Sequence, residues 1–204
     1  MKYKDNIESV AALQPDYLGF IFYQKSKRHF KGEMPALPVA IKKVGVFVNE
    51  ELSVINELIK KYDLKGVQLH GDESALFCSE LKASNKSGLE IIKAFAISEN
   101  FDFNMLNNYR QVCDYFLFDT KGKERGGNGT LFDWKLLEKY PFDKPFFLSG
   151  GIGLAEADRI ESFLDSPLSN YCYALDVNSK FESEPGLKKI QELKKFIELT
   201  VKDK

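Results

Sequence analysis

The chain has 204 residues, 29 Lys and Arg against 30 Asp and Glu for a net charge of −1, and 44% hydrophobic residues. That length fits one domain, residues 1–204, around a single large core, and the balanced charge excludes the basic footprint of a nucleic-acid binder. No apolar run approaches the roughly 18 residues of a membrane span, no signal-peptide pattern is present, and Cys78, Cys113 and Cys172, with only His29 and His70 beside them, give neither a disulfide framework nor a metal centre, so a cytoplasmic protein without membrane contact is expected.

The first element reads as a helix: Asp5 and Asn6 are N-cap types, and Ile7, Val10, Ala11 and Leu13 share one face. Seven short apolar runs follow at intervals of roughly 20 to 30 residues, at 17–23, 43–48, 66–70, 90–97, 114–120, 145–150 and 171–177. Most are continuous rather than alternating, as expected of parallel strands covered on both faces. Helical spacing fills the gaps. It appears in EELSVINELIKKY (Leu52, Ile55, Leu58, Ile59), ESALFCSELKA, FDWKLLEKY and LAEADRIESFL. The tail PGLKKIQELKKFIEL is expected to start a helix at Pro185 and to carry Leu187, Ile190, Leu193 and Ile197 on one side. Strands alternating with helices imply βαβ units. The first strand lacks a GxGxxG turn, and seven units exceed a mononucleotide-binding half. An α/β (β/α)₈ barrel is therefore expected, with seven of its eight strands in the sequence and the first missing in front of the opening helix.

Working groups of such barrels lie at the C-terminal ends of strands, and polar residues gather there. Arg28 follows the first run, Asn49 the second, His70 the third, Asp119 ends the fifth, Gly150 and Gly151 follow the sixth, and Asp176, Asn178 and Ser179 the seventh. Asp119 leaves an apolar wall, which suits a general acid; the plainer reading is a cap or ion pair. His70 is a substrate donor or a satisfied core histidine. Arg28 either grips a carboxylate or adds surface charge within KSKRH. Gly150–Gly151 with DVNS offers backbone N–H groups to a phosphate, or forms a tight turn. The loop KGKERGGNGT is a charged connection in which Gly126, Gly127 and Gly129 could cradle phosphate. Cys78 and Cys113 fall in helical patterns and read as packing residues.

In order and spacing, LGFIFYQKSKRHF, VGVFVN, VQLHGDE, IKAFAI, FLFDT, GGNGTLFDW, LSGGI and LDVNSKFESEPGLKK resemble phosphoribosylanthranilate isomerases over nearly the whole chain. The resemblance implies a (β/α)₈ barrel and a cofactor-free aldose–ketose isomerase of tryptophan biosynthesis. Its Amadori rearrangement turns N-(5-phosphoribosyl)anthranilate into 1-(2-carboxyphenylamino)-1-deoxyribulose 5-phosphate. An acid protonates the ribose ring oxygen, the ring opens to a Schiff base, and loss of the C2′ proton gives an enolamine that tautomerises to the ketone. By resemblance Asp119 is the general acid, Arg28 holds the anthranilate, His70 and Asp176 contact substrate, and Gly150, Gly151, Asn178 and Ser179 form the phosphate-binding backbone. Where the family often reads SSG, this chain has Asn178, Ser179 and Lys180. The only implied partner is this small substrate, and a monomer is expected, with a dimer as the alternative.

Family members open on a strand ending in a Lys-(Ile/Val)-Cys-Gly-Met-type motif whose cysteine is the general base. Met1 falls on the motif's final methionine, and none of Cys78, Cys113 and Cys172 matches its cysteine. The expectation is a start assigned one methionine too late, omitting on the order of 5–10 strand residues. A chain truly beginning at Met1 is expected to bind ligand while losing the roughly 10²–10⁴-fold contribution of a general base. Two other readings stand beside the isomerase. One is a related phosphate-binding barrel such as indole-glycerol-phosphate synthase, with Lys93 as its acid; the other is a non-catalytic phosphosugar-binding protein.

Overall fold

In the computed structural model, which describes residues 1–85, 88–120 and 134–200, seven parallel strands follow one another in a single sheet. They are β1 (Tyr17–Ile21), β2 (Lys42–Phe47), β3 (Gly66–Leu69), β4 (Glu90–Ile97), β5 (Tyr115–Thr120), β6 (Phe146–Leu148) and β7 (Cys172–Leu175). Their spatial order is their order in sequence, with a parallel ladder between every successive pair. Parallel neighbours require a crossover between them. The main helices are α1 (Lys4–Ala11), α2 (Leu52–Tyr62), α3 (Ala75–Ser84), α4 (Ala157–Leu164) and α5 (Ile190–Thr200).

The two sides of the sheet feed separate cores. Phe20, Phe47, Leu69, Ile91, Phe116 and Phe118 pack into a large cluster that also takes Ile7, Ile55, Leu81, Ile160 and Phe196 from the helices. Val44, Ile92, Ala94, Leu117 and Phe147 form a second, smaller cluster with Tyr17, Tyr115 and Ala174. Successive residues of a strand face opposite ways, so the second cluster lies on the other face of the same strands. A sheet that encloses its own apolar interior while helices cover its outside is the (β/α)-barrel arrangement. At the N-terminal ends of the strands this interior is closed by a polar plug. There Lys42 Nζ lies 2.5 Å from Glu90 Oε1, and the Tyr17 hydroxyl donates to Glu90 Oε2 at 3.1 Å.

The helix termini differ from expectation in three places. Helix α1 begins at Lys4, so Asp5 lies in its first turn and Asn6 caps nothing. Asn6 instead pairs with the backbone of Lys188, donating to its carbonyl at 2.9 Å and accepting from its N–H at 2.8 Å. That pairing explains the second difference, because Pro185 does not initiate a helix. Residues Glu182–Glu184 (β8) and Leu187–Lys188 (β9) form an antiparallel hairpin, and α5 starts only at Ile190. Gly186 turns the hairpin at φ +90°, where a Cβ would also strike the Lys2 side chain. Thirdly, of FDWKLLEKY the described part is a 3₁₀ turn, Trp134–Lys139. Helix α3 starts on a side-chain cap, Ser74 Oγ accepting from Phe77 N at 3.2 Å.

Candidate active site

Each rim residue inherits its direction from the strand beneath it. His70 N donates to Phe47 O at 2.8 Å, Ser149 N to Phe118 O at 2.9 Å and Asp176 N to Leu148 O at 2.8 Å. All three extend their ladders one residue past β3, β6 and β7. By strand alternation, His70 shares the facing of Gln68, Ser149 that of Phe147, Asp176 that of Ala174, and Asp119 that of Leu117. Their side chains therefore converge on the interior at its C-terminal mouth.

There His70 Nε2 lies 3.3 Å from Asp119 Oδ2, and His70 Nδ1 lies 2.8 Å from Gln68 Nε2. An amide nitrogen only donates, so Nδ1 accepts and the ring proton sits on Nε2, facing the Asp119 carboxylate. Asp119 is 9% exposed. Desolvation, then the charge of Asp119, push the Asp176 carboxyl above the usual carboxylate range, against the pull of Lys188, His70 and a hydrogen bond with Ser149. Two carboxylates whose charges oppose each other, with an imidazole paired to one of them, make a site that can hold and deliver a proton.

A second group of charges forms around Arg28. Its loop returns to β1 through a bridge between Ile21 and His29, with Phe30 N donating to Ile21 O at 2.8 Å. Arg28 Nε and Nη2 each lie 2.7 Å from Glu182 Oε2. The other oxygen, Glu182 Oε1, accepts from Lys188 Nζ at 3.0 Å and Gly186 N at 3.1 Å. Lys188 Nζ also donates to the Asn178 carbonyl at 3.0 Å and to its Oδ1 at 2.5 Å. Burial opposes the charged form of Glu182, yet Arg28 and Lys188 hold its carboxyl below the ordinary range. Burial pushes Lys188 down, with Glu182 opposing. The two directions fit one picture: a carboxylate stabilised by two cations, and a lysine that shares its counter-ion with Arg28.

The expected residues thus fall into two sets. His70, Asp119 and Asp176 come together, and Arg28 is joined to Asn178 through Glu182 and Lys188. Lys188 links the sets, because its charge is felt at Asp176. Gly150 and Gly151 take φ of +93° and +70°, a turn open to glycine at little cost. The chain then runs through a 3₁₀ turn, Leu154–Glu156, before α4 begins. Asn178 directs its side-chain oxygen to Lys188, and Ser179 opens another 3₁₀ turn, Ser179–Phe181.

Lys93 is not a rim acid: its side chain is 3% exposed and its Nζ is bound to three carbonyls and Glu73. Its place in β4 between inward-facing Ile92 and Ala94 turns it outward. Cys78 and Cys113 are buried in the large core, as expected of packing residues, and burial pushes the Cys172 thiol up to about 12. The loop at 121–130, with Gly126, Gly127 and Gly129, lies outside the described residues. Sequence reasoning missed Gln68, Ser149, Glu182 and Lys188. The facing of Gln68 and Ser149 was available from strand alternation, whereas Lys188 was concealed by the expected helix and nothing local marks Glu182, which stands before it.

The sequence model of the N-(5′-phosphoribosyl)anthranilate isomerase family matches residues 1–199. A relative from Parabacteroides distasonis named N-(5′-phosphoribosyl)anthranilate isomerase is 42% identical, the match covering 97% of this chain and 89% of that one. The crystal structure of the phosphoribosyl anthranilate isomerase of Thermotoga maritima superposes with a TM-score of 0.81 at 32% identity, covering 98% of this chain and 95% of the other. A further structure, of such an isomerase in complex with reduced 1-(o-carboxyphenylamino)-1-deoxyribulose 5-phosphate, gives a TM-score of 0.78 at 30% identity, covering 98% and 94%.

Proposed function

This chain belongs to the N-(5′-phosphoribosyl)anthranilate isomerase family, and from that premise we infer that the His70–Asp119 rim carries the Amadori rearrangement of N-(5-phosphoribosyl)anthranilate in tryptophan biosynthesis. The observation that carries the reading is the inward-facing Asp119 carboxyl, 3.3 Å from the imidazole Nε2, beside an Asp176 whose carboxyl burial and the Asp119 charge push above the ordinary range. The reaction moves hydrogen from C2′ to C1′ and changes no net oxidation state, so proton transfer suffices. Asp119, in its protonated form, is the acid that protonates the ribose ring oxygen as the C1′–O bond breaks; solvent water takes the proton then lost from C2′, and C1′ is protonated in turn to give the ketone. His70 holds that carboxyl in place through its Nε2–H and, with Asp176, contacts the opened sugar.

Arg28 receives the anthranilate carboxylate. A guanidinium has five N–H donors, so pairing its Nε and Nη2 with Glu182 still leaves it able to bind a second carboxylate. The backbone around Gly150, Gly151, Asn178 and Ser179 receives the phosphate, with two positive-φ glycines and the lysine-braced Asn178 setting its shape. The proposed working unit is one chain forming a single barrel domain in the cytoplasm, and no helix of the described residues is long and apolar enough to cross a membrane.

The test is direct. Incubated with ¹³C2′-labelled N-(5-phosphoribosyl)anthranilate, the protein is expected to convert the C2′ carbinol signal into a ketone signal while incorporating solvent deuterium at C1′. An unchanged spectrum at stoichiometric protein would contradict the reading.

A further inference from the structure

Lys93 and Glu73 are the anomaly of the outer core, an ammonium and a carboxylate each with its side chain only 3% exposed, 3.2 Å apart. Taking two charges out of water is costly, and the cost is recovered only when hydrogen bonds satisfy both. Where those bonds go is informative. Lys93 Nζ donates to Leu69 O at 3.2 Å, Gly71 O at 2.8 Å and Ala94 O at 3.2 Å. Glu73 Oε1 accepts from Asn49 N at 2.7 Å, and its two oxygens accept from Gly71 N at 3.2 and 3.0 Å.

Two of these groups belong to the peptide units on either side of His70. The Leu69–His70 peptide is held by its carbonyl to Lys93 and by its N–H to Phe47 O. The His70–Gly71 peptide is held by its N–H to Glu73. With both flanking planes fixed, φ and ψ of His70 have no freedom left, and the direction of its Cα–Cβ bond is set. The following residue has to be glycine for the clamp to close, since a Cβ on Gly71 would collide with Asn49 N and Oδ1 and with Glu73 Oε1. Asn49, at φ +50°, completes the brace by accepting from Asp72 N at 2.7 Å.

We propose that Lys93 and Glu73 are positioning residues that fix the backbone of His70 and thereby aim its Nε2 at Asp119. The proposal rests on the isomerase reading for its effect on turnover, though not for its effect on His70. Loss of the clamp lets the loop at 70–73 relax, and a displacement of about 1 Å in a catalytic constellation costs roughly 10²-fold.

The test is the double variant Glu73→Gln/Lys93→Met, which leaves no charge buried and keeps an acceptor for Asn49 N. Thermal melting establishes that it folds. Ring-nitrogen NMR of His70, one of two histidines, then reads the tautomer, and steady-state kinetics read kcat and KM. The unaltered protein is expected to show the single Nε2–H form. The variant is expected to show mixed tautomers, with kcat down about 10- to 100-fold and KM within about threefold. A folded variant that keeps the original His70 signature overturns the proposal whatever its kcat, and so does an altered signature with undiminished kcat. If the unaltered protein turns over no substrate, the isomerase reading fails while the ring signature still decides the positioning. If the variant does not fold, amide exchange in the unaltered protein decides. Slow exchange at Asn49 and Gly71 supports the clamp, and exchange at open-loop rates overturns it.

Discussion

Replacing Glu182 with Gln probes the charge cluster that shapes the substrate end of the rim. The Glu182 side chain is 4% exposed and stands between Arg28 at 2.7 Å and Lys188 at 3.0 Å; Lys188 itself is 7% exposed. An amide keeps the shape but strands two cations against each other. Removing one member of a buried pair costs about 3–5 kcal/mol. At about 2–4 °C per kcal/mol for a chain of this size, the melting temperature should fall by roughly 6–20 °C. Arg28 loses a charge-assisted bond worth about 1.5–3 kcal/mol, so its guanidinium is no longer held for the substrate carboxylate and KM should rise about tenfold or more.

Adding Lys188→Met should recover part of the stability, because it removes the stranded ammonium, without restoring KM. The pH dependence has a definite sign. The folded Glu182 carboxyl lies below its ordinary range, so its contribution is present above the unfolded value of about 4.3 and is lost as pH falls through the folded one. The deficit of the variant should therefore shrink in acid. Scanning calorimetry from about pH 2 to 8, with steady-state kinetics at neutral pH, is the assay. A Glu182→Gln protein as stable as the parent at neutral pH, with unchanged KM, would refute the reasoning.

Two further substitutions test neighbouring parts of the site. Asp176→Asn should raise the melting temperature at pH 7–8, with the gain vanishing below about pH 3.9, because a carboxyl held above its ordinary range loses its stabilising contribution as pH rises; a gain confined to acid would reverse the assignment. Gly71→Ala should cost about 1–3 kcal/mol in urea unfolding through overpacking against Asn49 and Glu73, and an unchanged midpoint would show that the close approach is absent in solution.

Much of the barrel was legible because buried parallel strands are written as continuous apolar runs, and Asp119, His70 and Asp176 stand where those runs turn polar. What was hidden depends on contacts between distant parts of the chain. Arg28 and Glu182 are 154 positions apart, and nothing local marks their pairing. The helical spacing of Leu187, Ile190, Leu193 and Ile197 after a proline is a genuine start signal. It is overridden because Asn6 takes both backbone groups of Lys188 into a hairpin. Lys93 shows the opposite case, since its outward facing followed from strand alternation. The synthase reading would need it as an acid at the rim, but its neighbours Ile92 and Ala94 point inward.

The most direct measurement for the catalytic role of the rim is the Asp119→Asn variant, assayed for turnover of N-(5-phosphoribosyl)anthranilate and for binding of the reduced product 1-(o-carboxyphenylamino)-1-deoxyribulose 5-phosphate. The account predicts a loss in kcat of about 10²–10⁴-fold with the dissociation constant of the reduced product within a few-fold of the parent's. Turnover at the parental rate would contradict it.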